Sequence, residues 1–320
     1  MQEIRAAVST ELDAVNAVII EQLKSDVDMV ENVGQYIVDA GGKRLRPLLA
    51  LLSAASLSAM SDRHIHFAAV VEFIHTATLL HDDVVDVSEL RRGRPTANST
   101  FGNAPSVLVG DFLYTRAFQL MVALDSTPLL RMMADTTNTI AAGEVLQLIR
   151  AGDADTTEAQ YYDVIDRKTA ALFAAACEGA AILAGAEDAV AVALRDYGRG
   201  IGIAFQLVDD LLDYEGDPQV TGKNVGDDLT EGKPTLPLIH VMRHGNPEQV
   251  ALVRSAITEK DISRLDEVLI AVKDCGSLDY TREAALRHRD TALENLKALP
   301  ESPARDALNA LAELSITRSS

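Results

Sequence analysis

Apolar side chains recur every three to four residues along most of the chain, which is the spacing of helices that bury one face. No convincing run alternates apolar and polar residues between turn residues, as a half-buried strand would. The pattern predicts long helices over residues 3–25, 29–40, 64–87, 106–124, 128–150, 157–184 and 187–216, then four or five shorter helices over 235–316. The expected fold class is therefore all-α.

Local signals mark several helix ends. The pair Gly41–Gly42 is expected to end the second helix. Thr157 and Gln160 have the spacing of a capping box, in which each residue satisfies a backbone N–H of the other. Pro303 follows Ser302, which is a good helix start because proline is tolerated in the first turn.

Composition and charge limit the organisation and the partners of the chain. With 320 residues, of which 48% are hydrophobic, it can bury a large core, and no Pro-, Gly- or Ser-rich linker divides it. We therefore expect a single domain over residues 1–320. The net charge of −19 and the lack of a basic stripe argue against nucleic-acid binding.

No targeting or membrane segment is recognised in the sequence. Residues 1–15, MQEIRAAVSTELDAV, contain acidic side chains and no hydrophobic signal core. The most apolar stretch, 170–186, is interrupted by Glu178 and is too short for a membrane span. These features predict a cytoplasmic protein.

Two acidic motifs of the form DDxxD stand on apolar helices far apart in sequence. They comprise Asp82, Asp83, Asp86, Asp209, Asp210 and Asp213. Aspartates four residues apart share a helix face and repel each other by about 0.2–0.5 kcal/mol. Since most charged residues are simply exposed, one motif alone could be a solvated helix end. Two such motifs are explained if they confront each other across a cavity with cations between them. Dense carboxylate oxygens suit Mg²⁺, which also binds substrate phosphates, so the expected ligand is a polyphosphate.

Basic residues stand near both motifs at positions suited to phosphate. They occur in GGKRLRP (41–47), in RRGRPT (91–96), at Lys168, and at Lys223 and Lys233 of a polar loop over 221–235. Arginine forks and helix N-termini both bind phosphate well. Each segment taken alone could be an ordinary basic loop, and the loop over 221–235 could be either a mobile lid or a plain surface loop.

Taken in order, these segments resemble the trans-prenyltransferase, or E-isoprenyl diphosphate synthase, family. The matching motifs are GGKRLRP (41–47), HDDVVD (81–86), RRGRPT (91–96), KTA (168–170), FQLVDDLLD (205–213), GKNVGDD (222–228) and GKPTLP (232–237). The likeness is strongest to the bacterial octaprenyl diphosphate synthases. It implies the isoprenoid synthase fold, a bundle of long helices around a central catalytic cavity, usually in a homodimer.

The resemblance also implies a reaction and a set of site residues. An allylic diphosphate loses its diphosphate, isopentenyl diphosphate attacks the allylic cation, and loss of a proton leaves a product five carbons longer. Three Mg²⁺ ions with bound substrate are implied. The implied residues are Asp82, Asp83, Asp86, Asp209, Asp210 and Asp213 for metal; Arg91, Lys168, Thr169, Gln206, Lys223 and Lys233 for the allylic diphosphate; and Lys43, Arg46, His75 and Arg92 for isopentenyl diphosphate. Among these, Asp82, Asp86, Asp209, Lys168, Thr169 and Gln206 are the implied catalytic residues, Thr169 and Gln206 offering oxygen dipoles to the cation.

Small residues next to the first acidic motif point to a long product. Ala77 and Thr78 precede Asp82 by five and four residues, which places them ~6–7.5 Å deeper along a helix. Short-chain members of the family have bulky aromatic residues near here, so this tunnel is expected to continue and to give a product of about C40. Candidates for the deeper wall are Phe73, Ile74, Met121, Met132 and Met133, although methionines at such spacing can be plain core.

Three other functions remain open from the sequence. A geranylgeranyl or farnesyl diphosphate synthase would share every motif. A class I terpene cyclase usually carries an NDxxSxxxE second motif and does not need GGKRLRP, whereas the second motif here is DDLLD. A non-catalytic partner subunit would lack one or both acidic motifs. The long product predicts a role in ubiquinone or menaquinone side chains and transient membrane contact during release, although no amphipathic anchor is evident.

Overall fold

The structure, a computed structural model, describes residues 1–91, 93–215 and 225–317, and these are mostly helical. The α-helices of this part are α1 (Gln2–Ala6), α2 (Ser9–Gln22), α3 (Asp28–Asp39), α4 (Leu45–Ser56), α5 (Asp62–Val85), α6 (Ala97–Phe101), α7 (Asn103–Ala123), α8 (Thr127–Arg150), α9 (Glu158–Ile165), α10 (Ala171–Ala184), α11 (Asp188–Glu215), α12 (Asp227–Thr230), α13 (Leu236–His244), α14 (Pro247–Glu259), α15 (Leu265–Asp274), α16 (Ser277–Asn295) and α17 (Pro303–Thr317). A π-helix spans Asp166–Ala170, and short 3₁₀ helices span Ile262–Arg264 and Leu296–Ala298. The all-α prediction is confirmed.

Two helices predicted as continuous are interrupted. The segment over 3–25 divides into α1 and α2 at Val8, whose φ of −143° and ψ of 32° are not helical. The segment over 157–184 contains the π-helix between α9 and α10. Apolar spacing did not distinguish this widened turn from the α-helices on both sides of it, because a π-helix is a short variation within an otherwise helical segment.

The predicted end signals agree with the structure. Thr157 Oγ1 accepts from the Gln160 backbone N–H, while the Thr157 N–H donates to Gln160 Oε1 at 2.8 Å. The predicted start at Ser302–Pro303 is the start of α17, where Ser302 Oγ accepts from the Arg305 N–H at 3.1 Å. The shorter helices expected over 235–316 are α13 to α17.

The chain divides into two compact units, each assembled from separate stretches. The first unit comprises Met1–Thr137, Leu172–Gly198 and Leu293–Leu311, and the second comprises Asn138–Ala171, Arg199–Ala292 and Ala312–Ser320. The expectation of a single domain stays a prediction.

Helix α5 is the centre of the first unit and packs against α2, α4 and α7. Most of its residues from Phe67 to Ala77 are buried, as in a helix that is apolar on nearly all sides. Close approach depends on glycine: a Cβ on Gly179 of α10 would lie 2.2 Å from Cζ of Phe67, and one on Gly110 of α7 would lie 2.3 Å from Nε2 of His81. Each fully buried large apolar side chain stabilises the unit by about 1.5–3 kcal/mol.

Two apolar clusters lie among the described residues of the second unit. One contains Leu238 of α13, Val253 and Ile257 of α14, and Val268 and Val272 of α15. The other joins α9, α11, α13 and α16 through Tyr161, Leu207, Leu236, Ile239 and Ala284. These clusters support the C-terminal part of α11, which carries the second acidic motif.

Candidate active site

The first acidic motif forms the C-terminal end of α5. Asp82 and Asp86 are partly exposed and four residues apart, whereas Asp83 is 1% exposed. Carboxylates at a helix C-terminus meet the negative end of the macrodipole, at a cost of about 0.3–1 kcal/mol each. A bound cation would offset this cost more than solvent does, so the two accessible carboxylates are suited to hold one.

Asp83 holds Arg91 next to this helix end. Its Oδ1 accepts from Arg91 Nη2 at 2.6 Å and from Nε at 2.9 Å, while Asn98 Nδ2 donates to the Asp83 carbonyl at 3.2 Å. The Arg91 side chain remains 30% exposed. The Arg91 guanidinium therefore retains an accessible side while it is paired with Asp83.

The segment that follows, predicted as a loop, contains a small antiparallel pair. β1 (Leu90–Arg91) pairs with β2 (Arg94–Pro95), and Gly93 between them has φ 72°. Thr96 caps α6 and donates from Oγ1 to the Ser88 carbonyl at 2.7 Å, which ties the hairpin to the end of α5. Arg92, implied for isopentenyl diphosphate, lies outside the described residues.

The other residues implied for isopentenyl diphosphate also belong to the first unit. Lys43 precedes α4, and Arg46 lies in its first turn with Cζ 4.4 Å from the centroid of the Phe173 ring. His75 is partly exposed on α5, and its carbonyl accepts from Thr78 Oγ1 at 2.8 Å.

The second acidic motif repeats the exposure pattern of the first at its leading pair. In α11, Asp209 is partly exposed while Asp210 is 1% exposed. Asp210 accepts from Tyr161 Oη at 2.5 Å and from Gln206 Nε2 at 2.9 Å. Burial, followed by the charge of Asp228, raises the pKa of Asp210 to about 8.

This network extends to Thr169, which follows Lys168 in the π-helix. Thr169 Oγ1 donates to Gln206 Oε1 at 3.0 Å. Burial, and then the charge of Asp210, raises the pKa of Tyr161, so its phenol stays protonated as the donor. A continuous chain of hydrogen bonds therefore orders Thr169, Gln206, Asp210 and Tyr161.

Lys168 is held by α8. Its Nζ donates to Glu144 Oε2 at 2.6 Å, and both side chains are partly buried. The neighbouring residue of α8 is Gly143, where a Cβ would lie 2.7 Å from Cβ of Arg167 and 2.9 Å from the Lys168 backbone nitrogen. Only glycine allows α8 to approach the π-helix this closely. This approach brings Glu144 of α8 within hydrogen-bond distance of Lys168 in the π-helix.

The polar loop after α11 returns to the second motif. The Asp228 N–H donates to Asp213 Oδ2 at 3.3 Å, and Asp213 is buried. Lys233 pairs with Glu231. Part of the loop predicted over 221–235 is the short helix α12, so that part is not a structureless loop. Residues 221–224, including Lys223, lie outside the described residues.

The residues implied for product length all lie in the first unit. Ala77 is 0% exposed, whereas Thr78 is partly exposed on the same helix. Met121 of α7 and Met133 of α8 are buried. Met132 is partly exposed, with Sδ 3.6 Å from Thr136 Oγ1.

The donor chemistry fits Mg²⁺ that is shared with a substrate. In neither unit, over the residues described, do three or more His, Cys, Asp or Glu side chains stand close enough to hold a metal ion by themselves. The accessible carboxylates are Asp82, Asp86 and Asp209, whereas Asp83, Asp210 and Asp213 are buried and engaged by protein donors. These hard oxygen ligands suit Mg²⁺, which keeps several waters and also binds phosphate oxygens.

Three supporting residues were not assigned from the sequence. Glu72 pairs with Arg44, Glu144 holds Lys168, and Tyr161 holds Asp210. A signal existed for Glu72, since a glutamate within an apolar helical run needs a partner when it is buried. Nothing local marks Tyr161, whose partner is 49 residues away.

Comparison with known proteins identifies the family. Residues 27–274 match the profile of the polyprenyl synthetase family. The chain is 52% identical to the octaprenyl diphosphate synthase of Escherichia coli over 99% of both chains, and 47% identical to an all-trans-nonaprenyl-diphosphate synthase of Rhodobacter capsulatus over 99% of this chain and 98% of that one. Its structure matches a polyprenyl synthase of Caulobacter crescentus, complexed with calcium and isoprenyl diphosphate, with a TM-score of 0.96 and 42% identity over 100% of this chain and 98% of that one. Members of this family are Mg²⁺-dependent prenyltransferases that use isopentenyl and allylic diphosphates. The resemblance inferred from the motifs is confirmed, and the chain belongs to the polyprenyl synthetase family.

Proposed function

We propose that the chain is a long-chain trans-polyprenyl diphosphate synthase. It adds isopentenyl diphosphate units to an allylic diphosphate, with farnesyl diphosphate as the primer, to give octaprenyl diphosphate of about C40. The observation that carries this proposal is the exposure pattern of the two acidic motifs. In each, the first aspartate stays accessible while the second is held by protein donors.

The basic residues account for departure of the diphosphate. Arg91 and Lys168 are each paired with a carboxylate, Asp83 and Glu144, so their positive charges are positioned before substrate binds. Lys223 and Lys233 are proposed to neutralise the same leaving group. Asp82, Asp86 and Asp209 would hold three Mg²⁺ ions together with the substrate, the buried aspartates acting directly or through bound water. Bound Mg²⁺ would supply Lewis-acid stabilisation of the diphosphate.

The polar network in the second unit accounts for stabilisation of the allylic cation. Because the Thr169 hydroxyl donates its proton to Gln206, its own lone pairs remain to face positive charge. Gln206 is fixed in turn by Asp210. Preorganised dipoles of this kind need little reorganisation when charge develops.

The second substrate is proposed to bind without metal. Lys43, Arg46, His75 and Arg92 would hold isopentenyl diphosphate, since these basic side chains can together neutralise its charge. The product, an all-trans polyprenyl chain, suits the side chain of ubiquinone or menaquinone.

We propose that the chain acts as a cytoplasmic homodimer with transient membrane contact for product release. Helix α7 of the first unit exposes Val107, Leu108 and Val122, apolar residues that a second copy would cover. Sedimentation should give twice the 34.4 kDa mass of one chain, and a species of 34.4 kDa would contradict the dimer. No helix among residues 1–91, 93–215 and 225–317 is long and apolar enough to cross a membrane.

Product analysis tests the proposed function. The purified chain with Mg²⁺, labelled isopentenyl diphosphate and farnesyl diphosphate should give a dominant product of about C40 after dephosphorylation, as its octaprenyl relative implies. A stop at about C15 to C20 would favour the shorter-chain alternative. Diphosphate release with a hydrocarbon product would favour a terpene cyclase, and no reaction without a second chain would favour a partner subunit.

A further inference from the structure

Arg44 lies between two basic residues proposed to bind isopentenyl diphosphate, but its guanidinium is engaged elsewhere. Its Nη1 donates to Oε1 of Glu72 in α5. Both side chains are largely removed from solvent, with 14% of Arg44 and 8% of Glu72 exposed. A buried carboxylate is strongly destabilising when its partner is removed, so Glu72 keeps Arg44 in this position.

The backbone of the same loop has a conformation that must be imposed by its surroundings. Arg44, directly before α4, has φ 47° and ψ 40°, in the left-handed region. A residue other than glycine is strained there and stays only where neighbouring contacts fix it. Arg5 of α1 donates from Nη2 to the Lys43 carbonyl at 2.7 Å. The loop is thus held from two sides, by Arg5 through a carbonyl and by Glu72 through the Arg44 side chain.

The ion pair also connects the two segments that carry the proposed ligands. Lys43 and Arg46 stand on either side of Arg44, and His75 follows Glu72 by three residues on α5. Residues three apart on a helix are neighbours on its surface. One buried pair therefore fastens the basic loop to the helical turn that bears the histidine.

We propose that Arg44 and Glu72 are positioning residues for isopentenyl diphosphate. Their ion pair sets the placement of Lys43 and Arg46 relative to His75 and does not bind the diphosphate itself. Arg44 could turn to the substrate only by leaving a buried carboxylate unpaired, which opposes direct binding. This inference rests on the proposed function. Loss of the ion pair should weaken the binding of isopentenyl diphosphate alone, because the residues proposed for the allylic diphosphate belong to other segments of the chain.

Glu72→Gln is the central test, since it removes the charge with little change in shape. We expect the KM for isopentenyl diphosphate to rise about 10- to 100-fold, because small displacements of binding groups have effects of this size. The kcat at saturation and the KM for farnesyl diphosphate should each stay within about threefold, the split that marks lost binding of one substrate. Arg44→Lys, which keeps the charge but loses the planar fork, should produce a smaller rise. Calorimetry with isopentenyl diphosphate alone should show the same loss without turnover.

Glu178→Gln is the matched control, because it makes the same change at a partly buried glutamate of α10 in the first unit. It should leave both KM values unchanged. If Glu72→Gln does not fold, as judged by its melting temperature, Arg44→Lys carries the test. An unchanged KM for isopentenyl diphosphate in a folded variant, or an equal rise in both KM values, overturns the inference alone. A wild-type chain that binds no isopentenyl diphosphate overturns the proposed function and this inference together.

Discussion

Replacing Asp82 by Asn should lower kcat/KM for elongation by about 1,000-fold, because it weakens the hold on the Mg²⁺ that would stabilise the diphosphate leaving group. Asp82 is partly exposed at the end of α5, and its neighbour Asp83 is already engaged by Arg91. Asp83 therefore cannot take over its place without breaking that pair, and Asp86 is itself a proposed metal ligand. The Mg²⁺ concentration needed for half-maximal rate should rise in the same variant, because one oxygen ligand becomes a weaker amide. Steady-state assays over a Mg²⁺ titration measure both effects.

The Asp82→Asn substitution should lower activity without lowering the stability of the fold. Removing a negative charge from the C-terminus of α5 relieves its interaction with the helix dipole, so the melting temperature should stay equal or rise slightly. Asp62→Asn is the matched control, because Asp62 is exposed in the first turn of the same helix. Activity of the control should be unchanged. An Asp82→Asn enzyme that keeps its rate and its Mg²⁺ dependence would show that the first motif does not hold the metal.

Local pattern was enough to predict most of the fold and the acidic motifs. The apolar spacing identified α5 and α11, and the DDxxD repeats identified the residues at their ends, because helical periodicity and short motifs are both written in consecutive residues. The capping box at Thr157 belongs to the same class, since both of its partners lie within four residues.

The side-chain contacts that the sequence did not predict join residues that are far apart in the chain. Arg44 and Glu72 are 28 residues apart, and Tyr161 and Asp210 are 49 apart. Which buried acid meets which donor is decided by packing, and packing is not visible in a periodic pattern. The π-helix also lies at a close long-range approach, since a Cβ on Gly143 of α8 would lie 2.9 Å from the Lys168 backbone nitrogen. Sequence identified the chemical groups, while tertiary structure determined which groups orient the others.

Thr78→Phe should shorten the product from about C40 to about C20. Thr78 precedes Asp82 by four residues, ~6 Å along α5, so a phenyl ring there would stand close below the proposed metal ligands. The structure distinguishes it from Ala77: Thr78 is partly exposed on the face that includes His75 and Asp82, whereas Ala77 is 0% exposed. Phenylalanine at Ala77 would overpack the core, at a cost of about 1–3 kcal/mol, before it acted on the product. Chain lengths of the dephosphorylated products measure the effect.

Comparing phenylalanine substitutions at Thr78 and Ala77 tests whether the accessible face of α5 lines the tunnel that holds the growing chain. If the accessible face of α5 lines the tunnel, Thr78→Phe shortens the product with a nearly normal melting temperature, while Ala77→Phe lowers the melting temperature whatever its effect on length. Thr291→Phe is a suitable control, because Thr291 of α16 is exposed and its hydroxyl also donates to a carbonyl one turn earlier, that of Arg287 at 2.9 Å. A folded Thr78→Phe enzyme that still makes a product of about C40 would place the path of the chain away from this face. The length determinant would then lie among other residues, with the partly exposed Met132 of α8 as the next position to vary.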